Sequence, residues 1–68
     1  MADAKAGPQK ALKMAIKHEE KSYQMYKRAA QGVTDKDTKK IFEFLADEEI
    51  KHMKMLEDEY DRVFRPEN

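Results

Sequence analysis

The sequence predicts an all-α protein, an antiparallel two-helix hairpin that pairs with a second copy to form a four-helix bundle. Three observations carry that prediction. Two long stretches rich in Ala, Lys, Met, Glu and Gln run without an interior breaker, and all five are strong helix formers. One short segment, "GVTD" at residues 32–35, separates them. Within each stretch the apolar residues recur at helical spacing. The second copy follows from size. A chain of 68 residues is one domain at most and cannot build a roomy core from one hairpin. With no cysteine, it has no disulfide or thiolate metal site, which leaves oligomerisation, metal or very good helix packing to stabilise it.

The first helix is expected over about residues 8–31. Pro8 suits a first turn, where a missing N–H costs nothing, and the small, polar "MADAKAG" before it reads as frayed. Gly32 reads as the residue just past the helix end, free to adopt positive φ. Thr34 or Asp35 then serves as the N-cap of a second helix over about residues 36–64, which Pro66 stops. A connection this short makes the helices antiparallel neighbours.

Composition excludes several function classes. Fourteen basic and fourteen acidic residues cancel, which argues against electrostatic binding of nucleic acid. No apolar run reaches membrane-spanning length, and "MADAKAGPQK" does not read as a secretory signal. A cytoplasmic setting, or a protein compartment within the cytoplasm, is the expectation.

At 100° per residue, Leu12, Ala15, Ile16, Tyr23, Tyr26 and Ala30 lie within about 60° of Glu19. Phe42, Leu45, Ala46, His52, Met53, Leu56, Tyr60, Val63 and Phe64 lie similarly about Glu49. Both glutamates thus sit near the centre of an apolar stripe, where an unpaired charge is costly. The midpoint of positions 19 and 49 falls in the turn, so an antiparallel hairpin brings them to one height, roughly 20 Å from it. His52 follows Glu49 by three residues, within reach of the same ion. Any Glu-x-x-His is weak evidence in a chain with eight glutamates; this one gains weight from its place on the stripe and from Glu19 opposite.

One hairpin then offers two Glu and one His, and a twofold dimer four Glu and two His. That is the donor set of di-iron and di-manganese carboxylate bundles. Oxygen and imidazole donors suit iron, with manganese the second choice, and a structural zinc site is disfavoured without thiolate. A buried Glu–His ion pair, or a protonated Glu in a helix seam, would account for the same residues without metal. Four carboxylates around one axis repel unless protonated or neutralised, however, so metal is the better account.

Tyr23 and Tyr26 flank Glu19. Ring packing is the simpler role for them, and a hydroxyl hydrogen-bonded to a ligand carboxylate is the functional one. His18 points about 100° off the stripe and reads as a surface or subunit-contact residue. Glu20, Asp47 and Glu48 read as solvated. Met14 with Met25, and Phe44 with Met55, form off-stripe pairs eleven residues apart, close to three turns; they read either as ordinary exposed hydrophobes or as contacts with more than one neighbour, in an assembly larger than a dimer.

"AIKHEEKSYQMYKRAA" followed by "KKIFEFLADEEIKHMKMLEDEY" resembles the rubrerythrin-type branch of the ferritin-like superfamily. The likeness rests on Glu19 seven residues before Tyr26, and on Phe42, Leu45, Ala46, Glu49 and His52 in the pattern Phe-x-x-Leu-Ala-x-x-Glu-x-x-His. It implies a ferritin-like bundle with a carboxylate-bridged di-iron centre. By that analogy Glu49 bridges the metals, while Glu19 and His52 complete each one. It also implies reaction of Fe(II) with oxygen or peroxide. Family members carry four helices and two such motifs, and this chain has half, which is similar to the two-helix encapsulated ferritins that build the site between subunits. No cysteine-rich rubredoxin-like segment follows, which shifts weight from peroxidase to ferroxidase chemistry. The alternatives are a non-catalytic helical oligomerisation module and a protein whose assembly depends on metal.

Overall fold

The computed structural model describes residues 6–65, in two helices, α1 (Ala6–Gly32) and α2 (Lys36–Phe64). The N-terminal stretch expected to fray lies, up to residue 5, outside the described residues, as does Pro66. α1 begins two residues earlier than Pro8 suggests, so Pro8 stands third in the helix. It is still within the first turn, whose N–H groups have no intrahelical acceptor. The other end also differs from expectation. Gly32 is the last residue of α1, and no residue described takes positive φ. A Cβ added at Gly32 would meet nothing within 4 Å, so neither backbone nor space requires glycine there.

Reversal is managed instead by Val33–Asp35 and the start of α2. Asp35 is the N-cap, with extended backbone at φ −67° and ψ 123°. Its carboxylate accepts from the Thr38 backbone N–H at 2.9 Å and from the Thr38 hydroxyl at 2.8 Å. The carbonyl of Asp35 accepts from Lys39 N–H at 2.9 Å, closing the first helical turn. Those contacts, the Thr38 N–H first, hold the Asp35 carboxyl below its ordinary range. Asp37 adds negative charge at the positive end of the helix dipole.

The two helices run antiparallel, and contacts along their length show the register. Near the turn Tyr26 stacks on Phe42, with ring centroids 6.4 Å apart and planes 27° apart. At the far end Gln9 Nε2 donates to the Tyr60 hydroxyl at 2.9 Å. Position 26 therefore faces 42, and 9 faces 60, so the level of Glu19 is that of Glu49.

Thickness positions the site. The molecule measures 52 × 26 × 13 Å, and 13 Å is little more than one helix diameter. A single layer can bury only what lies directly between its helices. Among the described residues the buried apolar side chains are Ala30 and Ala46, both small enough to let the backbones approach. The larger stripe residues, such as Leu12, Ile16, Tyr26, Leu45 and Leu56, are half-buried. No described helix is long and apolar enough to cross a membrane.

Because Ala46 is buried against α1, Ala46→Leu is expected to destabilise the hairpin by about 1–3 kcal/mol through overpacking. Urea denaturation followed by circular dichroism measures this; an unchanged midpoint would show that the helices are free to separate there.

Candidate metal centre

Glu19, Glu49 and His52 meet at mid-height between the helices. His52 Nδ1 lies 3.0 Å from Glu19 Oε2 and 3.1 Å from Glu49 Oε1. One ligand atom from each residue lies within 4.8 Å of the others. Each element contributes for a local reason. α1 brings Glu19 to the seam at its stripe centre, and α2 carries Glu49 and His52 three residues apart on adjoining turns.

Burial is graded across the three. The Glu49 side chain is 12 % exposed, Glu19 26 % and His52 51 %. Glu49 is the floor of the site, Glu19 one wall, and His52 stands at the edge of the layer with its ring turned inward. Sequence periodicity set His52 on the stripe facing the core; in the hairpin it is exposed, because its flank of α2 has no helix beside it. Only the Nδ1 edge reaches the seam.

The electrostatics follow from those contacts. Hydrogen bonding with the Glu49 carboxyl, and next with His52, holds the Glu19 carboxyl below its ordinary 4.5. Hydrogen bonds to Glu19 and then Glu49 raise His52 above its ordinary 6.5. A protonated Nδ1 donates to both carboxylates at once, so one proton sits where three ligand atoms converge. A divalent cation placed there would take over that proton's role. Two carboxylates and an imidazole fit an oxygen- and nitrogen-preferring ion such as iron or manganese. Three protein donors still fall short of the about six positions an octahedral ion offers.

Of the tyrosines expected near the site, Tyr26 packs on Phe42 and Tyr23 lies beneath Lys27, whose Nζ is 5.9 Å from the ring centroid. No hydrogen bond joins either hydroxyl to the three donors among the described residues. Glu48 is half-buried and accepts from Lys51 Nζ at 3.1 Å, whereas Glu20 and Asp47 are exposed. His18 is exposed but lines a groove with Ala11, Met14, Ala15 and Glu19, so it borders the centre. Its four-residue spacing from Met14 was the signal for that shared flank. Ile41 and Ile50, which lie outside the apolar stripe about Glu49, are exposed.

A helical protein with a carboxylate–imidazole cluster between its helices is what fold and donors define together. The chain matches the family model for rubrerythrin over residues 5–68, and it belongs to that family. The family generally binds iron, which agrees with the donor chemistry. No curated protein and no solved structure matches the chain significantly.

The paired shifts set a pH window for the metal-free protein. Raised in the fold, His52 contributes stability that is full below 6.5 and lost as pH rises through its folded pKa. Glu19, lowered, contributes stability that is full above 4.5 and lost as pH falls through its folded pKa. Asp35 and Glu59 act in the same sense as Glu19. The metal-free protein is therefore expected to melt highest between pH 4.5 and 6.5, and His52→Ala to remove the decline on the alkaline side. Thermal melts across pH test this; a wild-type midpoint that keeps rising into alkaline solution would contradict it.

Proposed function

We propose that the protein is a di-iron oxidoreductase of ferroxidase type, which oxidises Fe(II) at a site shared between two copies of the chain. The observation that carries this is the convergence of Glu19, Glu49 and His52 in a layer one helix thick. One chain offers an incomplete donor set. A twofold dimer doubles it to four carboxylates and two imidazoles, the complement used by di-iron carboxylate bundles. A homodimer is thus the smallest assembly that completes the site, and larger homo-oligomers can be built from it.

Fe(II) is the substrate in this reading. Two Fe(II) each give up one electron; the pair reduces O2 to hydrogen peroxide with uptake of two protons, or peroxide to two waters. A two-metal site holds both ions where they can deliver electrons to one O–O bond. The protein's part is binding and charge. Glu19 and Glu49 offset the charge of the ions and of the Fe(III) product. His52 supplies Nδ1 once its proton has left, which orients the ring through the same two carboxylates that held it as an imidazolium. Manganese is the alternative occupant on donor chemistry. The lack of cysteine permits a reducing setting, and the cytoplasm or a protein compartment within it is the location proposed.

A second reading has one observation in its favour. His52 satisfies both carboxylates without any ion, so the seam can be held by hydrogen bonds alone. The chain would then be a non-catalytic oligomerisation module, or one whose assembly changes when metal replaces the proton.

Anaerobic Fe(II) titration is expected to saturate near about one iron per chain, as a shared pair requires. Adding O2 to the loaded protein should then consume oxygen. His52→Ala should weaken binding by at least the 10–100-fold typical of disturbed metal-site partners while keeping the helices. Absence of iron uptake by the wild type would leave the oligomerisation module standing.

A further inference from the structure

The neutral total of the chain conceals two helices of opposite charge. α1 has six basic residues against two acidic, Glu19 and Glu20, whereas α2 has six basic against nine acidic. The excess on α1 is also ordered. At 100° per residue, Lys10, Lys17, Lys21 and Arg28 fall within about 20° of the direction opposite Glu19. All four are exposed. They form a row about 27 Å long down the outer side of α1, with Glu20, the nearest acidic residue of the helix, about 80° away.

The second half of α2 neutralises its own charge. Lys51 pairs with Glu48, Lys54 with Asp58 and Arg62 with Glu59. On α1, Lys13 and Lys27 lie over the rings of Tyr60 and Tyr23. Among the described residues, Lys10, Lys17, Lys21 and Arg28 have neither an ion pair nor a ring as partner. Lys17 and Lys21, four residues apart, repel each other, a cost to the helix that an anionic neighbour would remove.

We propose that this outer row docks an acidic helix of another protein. Its spacing points to a helix. Lys10, Met14, Lys17, Lys21, Gln24 and Arg28 recur at alternating intervals of four and three, the straight seam along which two helices pack. Shallow grooves follow that seam, one lined by Met14, Lys17, His18 and Lys21, the next by Glu20, Lys21, Gln24 and Arg28. The thioether of Met14 offers an adaptable apolar contact at one end. The complement is a helix with Asp or Glu at the facing positions and an apolar residue to meet Met14. Duplex nucleic acid fits less well, because its phosphates wind around their axis, the row has no aromatic ring, and α2 sets nine acidic residues on the same body. An anionic bilayer fits less well too, because the apolar stripe of α1 is turned into the seam with α2. A bundle that encloses Glu19 leaves this row on its outside, so the proposal holds with or without metal at the centre.

The probe is a fluorescein-labelled helical peptide of about 20 residues, with Glu at alternating intervals of four and three, and fluorescence anisotropy reads its binding to the full-length chain. Binding is expected at low ionic strength and should be largely lost between about 0.05 and 0.5 M salt. The triple variant Lys17→Gln, Lys21→Gln, Arg28→Gln should bind at least about tenfold more weakly. The triple variant Lys36→Gln, Lys40→Gln, Lys54→Gln removes the same charge from α2 and should stay within about twofold of the wild type. Gln is as good a helix former as Lys, so both variants keep the helices. Equal losses in the two variants would show attraction to net charge and overturn the docking row, as would no binding by the wild type at low salt. Tighter binding of a DNA duplex of about 20 base pairs, or of phosphatidylserine vesicles, would overturn the acidic helix as occupant.

Discussion

Two carboxylates facing each other across a helix seam repel, and burial strengthens the repulsion by removing the water that would screen it. Glu49, the most buried polar side chain of the hairpin, and Glu19 opposite it create that situation at mid-length. Something positive has to stand between them. In the hairpin it is the imidazole of His52, whose Nδ1 lies about 3 Å from both. The rest of the fold makes this meeting possible. Asp35 caps α2 and sets where its rotation begins. Ala30 and Ala46 keep the helices close enough for carboxylates on opposite helices to share one nitrogen. The Tyr26–Phe42 stack and the Gln9–Tyr60 hydrogen bond hold the register on either side.

Much of this was legible in the sequence, for identifiable reasons. Helix propensity and period place both helices, because the chain contains few residues that could interrupt them. The level of Glu19 with Glu49 follows from counting outward from the turn, since antiparallel helices of equal rise keep count. The N-cap was narrowed to Thr34 or Asp35, and the carboxylate that reaches Thr38 chooses Asp35. What the sequence could not show is equally physical. Gly32 suggested a left-handed cap, but a three-residue turn with a strong cap on its far side reverses the chain without one. The exposure of His52 depends on how much of the α2 stripe one neighbouring helix can cover. Periodicity measures the width of a stripe, not the number of neighbours it has.

That difference bears on function. A stripe wider than one partner helix can cover leaves apolar side chains facing solvent, and on this hairpin the uncovered part is where the metal-centre candidate opens. The graded burial of Glu49, Glu19 and His52 says the same thing chemically. The two carboxylates are set deep, while the imidazole stands at the rim, next to water. A monomer of this thickness can hold the donors in position but cannot exclude water from them. A bundle of two hairpins would do both.

Assembly and metal binding in such a bundle are linked through His52. In the lone hairpin its Nδ1 lies within hydrogen-bond distance of both carboxylates; with an ion bound it would be taken up by the metal. If the second copy supplies the remaining donors, the ion binds the dimer more tightly than the monomer. Thermodynamic reciprocity then requires that the ion tighten the dimer by the same factor. The metal-free chain need not be unfolded while it waits, because the imidazole already bridges the two carboxylates. Sensing of metal by assembly and oxidation of metal at the interface are therefore not rival designs for this hairpin. They differ in what happens after the ion arrives: a bound pair that reacts with an O–O bond is an enzyme, and a pair that merely holds two copies together is a switch. The oxygen and nitrogen donors of Glu19, Glu49 and His52 are the kind that either design would use.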